Sequence, residues 1–236
     1  MADGCLNFDT NINSEGFEKG LKSLSNMVGD IKPKLKSLAM AVTAAFSVKK
    51  LVDFGRQSIE TASDLAEVQN VVDTAFGESK QKMEDFADTA VKTYGISKLT
   101  AKQTGSNFMA MAAGMGLAND SASDMAMALT GLSADMASFY NVGQDVASTA
   151  LKSIFTGETE TLKQFGIVMT DANLQAYALS KGITKSTADM SQAEKVQLRY
   201  NYVMSQTALA QGDFAKTSDS WANQTRILSE QWKEFG

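Results

Sequence analysis

A single proline, Pro33, stands in a chain of 236 residues that also carries 31 alanines. Proline removes a backbone donor and clashes one turn back in a helix, whereas alanine is the best helix former. With so little to interrupt helices and so much to sustain them, the expected fold is all-α, a multi-helix array or bundle. Aromatic residues make up only 8% of the chain, so Ala, Val, Leu, Ile and Met must fill most of the core. The 44% hydrophobic content is enough for a large helical domain or two modest ones.

The N-terminal part carries a seam. Phe17, Leu21, Leu24, Val28, Ile31, Leu35, Leu38, Val42 and Ala45 follow one another at alternating spacings of four and three. That is a heptad rhythm, which predicts a coiled-coil-like helix or a helix laid along a neighbour. Ser14 is placed as its N-cap, with Glu15 and Glu18 in the first turn. Pro33 predicts a kink within it. The two partners open to such a seam, another helix of the same chain or a second copy, are not separated by the pattern.

Helix is expected to run on from Leu35 to Phe76, with Leu51, Val52, Ile59, Leu65, Val68 and Val72 facing inward and Gly77 ending it. Ser79 to Tyr94 follows, with Met83, Phe86, Ala87, Ala90 and Val91 on one face. Three pairs then repeat as punctuation: Gly95-Ile96, Gly166-Ile167 and Gly182-Ile183. Glycine takes the left-handed conformation after a last helical turn, and the apolar residue behind it folds back on the helix end. Each pair is followed by a Ser or Thr able to cap another helix. Further helices are expected from Gly143 to Thr156, with Val146, Ala150, Leu151, Ile154 and Phe155 inward, and from Asp171 to Lys181. Ser191 and Glu194 form a capping box that opens another.

Residues 103–151 contain no Lys, Arg or Glu, four Asp and six of the 13 Met. Such a stretch predicts a tightly packed hairpin of two Ala-rich helices with Met filling gaps. Thr100 with Gln103, and Asp120 or Ser121, are placed at the two helix starts. Ala110, Ala112, Gly114 and Gly116 are placed at the close approach. From Gly212 onward a second seam passes through Phe214, Ser218, Trp221, Thr225, Leu228, Trp232 and Phe235. It is expected to begin a heptad helix that continues into a longer protein. The domain reading is therefore 1–57, 58–212 and 213–236.

Chemistry is constrained by what is missing. With no His and one Cys, Cys5, the chain lacks the parts of a Ser-His-Asp triad, a Cys-His dyad or a zinc site. Glu158 and Glu160 lie two apart, which on a helix aims them in different directions rather than at one bond. Gly114-Met115-Gly116 lacks the rest of a phosphate loop, and Asp120 with Asp124 lacks the ligand density of a calcium loop. No catalytic residue, metal ligand or cofactor is assigned. A net charge of −5 argues against nucleic-acid binding through phosphates. The longest uncharged run, Gln103 to Asn119, has 17 residues and several polar ones, short of a membrane span. The first residues resemble no signal peptide, so synthesis in a cytoplasm is expected.

Three blocks carry a family likeness. The first runs from Phe155 through Gly157, Glu158, Thr159, Leu162, Lys163, Phe165, Gly166 and Ile167, continuing to Met169 and Thr170. The second is Ser191, Glu194, Lys195, Gln197, Arg199 and Tyr200. The third is Gly212, Asp213, Phe214, Ala215, Thr217, Ser220, Trp221, Ala222, Asn223 and Gln224. In this order they resemble the N-terminal conserved region of phage tail tape-measure proteins, the minor tail proteins of long-tailed phages and prophages.

The resemblance implies a helical ruler and scaffold that occupies the tail tube lumen, sets tail length and leaves ahead of the DNA at ejection. It implies as partners further copies of the chain (trimer or hexamer), the tail tube protein, tail assembly chaperones and distal tail-tip proteins. Sequence-specific nucleic-acid binding is not among its implications. Two other readings stay open at this point. One is a membrane-active translocation protein whose residues 103–151 contact the host membrane transiently. The other is a coiled-coil structural protein unrelated to phage.

Overall fold

In the computed structural model residues 66–235 are described, with the side chains of 221, 222 and 231–235 outside that description. The N-terminal seam, from Phe17, Leu21, Leu24, Val28 and Ile31 to Leu35, Leu38 and Val42, and Pro33 lie outside the described residues. All regular structure among the described residues is helical. It comprises α1 at 66–76, α2 (Lys80–Tyr94), α3 (Lys98–Gly114), α4 (Asn119–Phe139) and α5 (Gln144–Leu151). Then follow α6 (Ser153–Thr156), α7 (Glu160–Lys163), α8 (Asp171–Ser180), α9 (Gln192–Gln206), α10 (Asp213–Thr217) and α11 (Trp221–Phe235). Short 3-10 turns at Gly77–Ser79 and Thr187–Asp189 complete the path.

Four helices, α2, α3, α5 and α10, assemble around α4. Its residues Gly131 to Ala137 are buried on every side, so these roughly two turns have no solvent face. A helix buried all round must satisfy its polar groups internally. Thr130 donates to the Ala126 carbonyl at 2.8 Å and Ser133 to the Thr130 carbonyl at 2.7 Å. The expected hairpin is present: α3 lies along α4, with Phe108, Met109, Leu129 and Met136 fully buried. Burying side chains of this size stabilises by roughly 1.5–3 kcal/mol each. α5, α2 and α10 also pack on α4, while α9 packs on α6 and α8.

Of the Ala110–Gly116 run Ala112 is fully buried, but the tightest approaches lie elsewhere. Gly114 and Gly116 have open space where a Cβ would stand, and Ala110 is exposed. The tight contacts are at Gly105, where a Cβ would come within 2.7 Å of the Met83 sulfur, and at Gly131, where one would come within 2.8 Å of the Tyr94 ring. Small residues matter only where a second helix arrives, and α2 arrives about two turns into α3, at Gly105, and at mid-α4, at Gly131. A polar link reinforces this layer: Lys102 of α3 donates to Gln69 of α1 at 2.6 Å and pairs with Glu84 of α2 at 2.7 Å.

Helix ends follow the sequence closely. Gly95, Gly166 and Gly182 have φ of 65°, 74° and 76°. Ile96 and Ile167 are buried behind them, while Ile183 is 39% exposed. Ser97, Thr170 and Ser186 cap the elements that follow, each accepting a backbone N–H. Two expected caps are displaced. Ser97, three residues before Thr100, starts α3, and α4 begins after Ala118 without a side-chain cap. Asn119 instead accepts from Ser79 at 2.6 Å, and Asp120 and Asp124 pair with Lys82. The helix expected from Gly143 to Thr156 divides at Lys152, and Val146 faces out while Ala147 faces in.

The C-terminal seam is not one helix. α10 stops at Thr217, and Ser220 opens α11 by accepting from the Asn223 N–H at 3.3 Å. Phe214 is fully buried and Leu228 is 61% exposed, so the heptad positions do not share one apolar face. Residues 213–230 are fastened to α2, α3 and α4.

Candidate functional site

The three likeness blocks occupy three joints. The most extensive is a clasp that holds α10 and α11 onto the body. Gly212, at φ 72°, turns the chain after α9 so that two backbone N–H groups face α4. Asp135 accepts both, from Gly212 at 2.7 Å and Phe214 at 3.2 Å. Burial pushes the Asp135 carboxyl above its ordinary value, although the two N–H donors pull the other way; the nearby Asp213 charge adds to the rise. The Phe214 ring enters a slot left open by Gly95, where a Cβ would clash with the ring edge at Cε2 and Cζ.

Polar contacts extend the clasp outward. Ser138 donates to the Asp213 carboxylate at 2.7 Å and accepts from the Asn223 amide at 3.0 Å. The same amide donates to the Thr217 carbonyl at 3.1 Å and hydroxyl at 2.8 Å, which fixes the break between α10 and α11. One Arg226 nitrogen donates to the Ala137 and Val142 carbonyls, both at 3.3 Å, at the C-terminal end of α4. A cation there complements the helix dipole. Glu230 accepts from the Ser97 N–H at 3.0 Å and the Thr100 hydroxyl at 3.1 Å.

The second joint is the corner from Phe155 to Ile167. Gly157 has φ 79° and lies against the Arg199 guanidinium, which reaches the Ile154 and Phe155 carbonyls, each at 3.4 Å. Leu162, Phe165 and Ile167 are buried, and Tyr140 donates to the Phe165 carbonyl at 3.0 Å. Gly166 releases the chain from α7, and the Ile167 N–H returns to the Leu162 carbonyl at 3.2 Å. Glu158 is exposed, Thr159 half-buried, and Lys163 pairs with Glu160 at 2.6 Å on the surface.

The third joint is the start of α9. Ser191 and Glu194 exchange backbone and side-chain bonds as the sequence predicts, at 3.2 and 2.7 Å. Lys185 adds two bonds to the Glu194 carboxylate, at 2.9 and 2.7 Å. Lys185 and the Ser191 donors together hold the carboxyl at about 2. Lys195, next along, points to a different side, into a cleft against α8.

Glu158 and Glu160 share no site. Among the described residues no group of His, Cys, Asp and Glu is arranged to hold a metal ion, and no helix is long and apolar enough to cross a membrane. Of the second seam, Leu228 stands exposed on α11, and the side chains of Trp221, Ala222 and Trp232 lie outside the described ones. Sequence reasoning passed over Asp135, Arg226 and Glu230. Asp135 did leave a signal, a lone acid inside the apolar run from Met125 to Ala137. Comparison with family models, curated proteins and solved structures gave no match.

Proposed function

We propose that this chain is a structural module that acts through shape and contact, and that it belongs to the phage tail tape-measure proteins its three blocks resemble. The observation that supports this reading is where those blocks fall. One shapes a corner, one caps a helix, and one fastens the C-terminal helices. Gly157, Leu162, Phe165, Gly166, Ile167, Glu194, Gly212, Asp213, Phe214 and Asn223 each have a task in the backbone path or the packing. Asp213 and Asn223 line one open cleft beside Arg226, while Gly157, Leu162, Phe165, Gly166, Ile167 and Glu194 stand at the other two joints.

In this reading the helical body is a folded head of a ruler. Its partners are further copies of itself, the tail tube protein, assembly chaperones and tail-tip proteins, and its place is the lumen of the tail tube. A helix converts residue count into length at about 1.5 Å per residue. In-frame removal of about four heptads from the helical part of the full gene product should therefore shorten tails by about 42 Å. Electron microscopy of particles measures this, and mass spectrometry of the same particles detects the chain. Tails of unchanged length would remove the ruler, and particles without the chain would remove the tail assignment.

A further inference from the structure

Between α8 and α9 lies a cleft of about 260 Å³, outside the clasp and the capping box. Leu174 and Leu198, 3% and 4% exposed, form part of its apolar lining. Asp171, Thr187, Ala188, Lys195 and Arg199 complete the lining, and the Asp171 charge acts on the Arg199 guanidinium. The two cations are four apart on α9, which places them on one face, one turn from each other. Neither makes an ion pair within 4 Å among the described residues. Arg199 is half-buried, yet its hydrogen bonds are two long ones to carbonyls. Glu194, the acid next to Lys195, is fully engaged by Lys185 and Ser191. Two cations against one acid leave an excess of one positive charge in a protein whose net charge is −5.

We propose that this cleft binds the carboxylate of an acidic side chain presented by a partner polypeptide, with Lys195 and Arg199 as donors to it. Three features select that chemistry. One negative charge balances the cleft, whereas a phosphate dianion brings one too many beside Asp171. The leucines and Ala188 offer apolar contact to the methylenes that precede a glutamate carboxylate. The volume is below the roughly 300–1,000 Å³ of sites for drug-sized ligands, so it accepts a side chain rather than a nucleotide. The proposal does not depend on the tail assignment, since it needs only the cleft and its charges.

The test is a titration of the isotope-labelled 236-residue chain, followed by amide chemical shifts at low ionic strength. The probes are a blocked peptide with a central Glu, its Gln counterpart, glutarate and inorganic phosphate. The Glu peptide is expected to shift the amides of 171–174, 187–188 and 195–199 saturably, and the Gln peptide to leave them unmoved. Lys195→Met and Lys195→Gln should each weaken binding about tenfold, the size of one hydrogen bond to a charged group. Asp171→Asn should strengthen it. A variant spectrum unchanged away from the cleft shows that the fold persists. Equal shifts from the Gln peptide, no saturable shift from the Glu peptide, or undiminished binding by both Lys195 variants would overturn the proposal. So would tighter binding of phosphate, or glutarate binding as tightly as the peptide.

Discussion

Asp135 in the clasp and Glu194 in the capping box do a similar job: each carboxylate accepts backbone N–H at the start of a helix, two groups for Asp135 and one for Glu194. Their surroundings give them opposite characters. Glu194 is on the surface with Lys185 beside it, and its carboxyl is held at about 2. Asp135 is 6% exposed, and burial pushes its carboxyl upward. A carboxylate favoured by its partners supports the fold as a charge. One starved of water supports it through geometry, at some electrostatic cost.

The comparison can be broken at several points, the largest effect coming from the clasp. Phe214→Ala empties a fully buried slot and should cost about 3–5 kcal/mol in chemical denaturation. A loss below about 1 kcal/mol would mean that the clasp is not part of the cooperative core. Asp135→Ala leaves two N–H groups without an acceptor and should cost about 2 kcal/mol net, once relief of the buried charge is counted.

The two carboxylates also separate on acidification. Glu194 is depressed from 4.5 to about 2, so its contribution is complete above about 4.5 and fades as pH falls toward 2. Asp135 is raised, so the folded state takes up its proton before the unfolded chain does, and its penalty disappears as pH falls. Amide protection corrected for intrinsic exchange should therefore drop at Ser191 and Glu194 across that window while Gly212 and Phe214 stay protected. Glu194→Gln should flatten the response at Ser191, and earlier loss at Gly212 would reverse the ranking. The smallest effect belongs to the exposed Lys163–Glu160 pair, where Lys163→Ala should change stability by less than about 0.5 kcal/mol.

What the sequence disclosed was local. The Gly-Ile corners, the capping box at Ser191 and Glu194, the hairpin of α3 and α4 and the all-helical class each depend on residues close in the chain. What it concealed depended on partners far along it. A heptad count from Phe214 to Phe235 could not register that Asn223 grips Thr217 and Ser138, and so it read one helix where a break stands. The glycines at 105 and 131 looked like any others until α2 was brought against them. Of the candidate site, the glycine turns were visible early, but Asp135 and Glu230 take their meaning from N–H groups 77 and 133 residues away.

Tyr94 resting on Gly131 ties the two positions together sterically. Any side chain at 131 meets the ring, whereas a smaller residue at 94 would leave a void that a methyl at 131 could partly fill. Variation should therefore enter this layer as paired changes, each harmful singly and milder together.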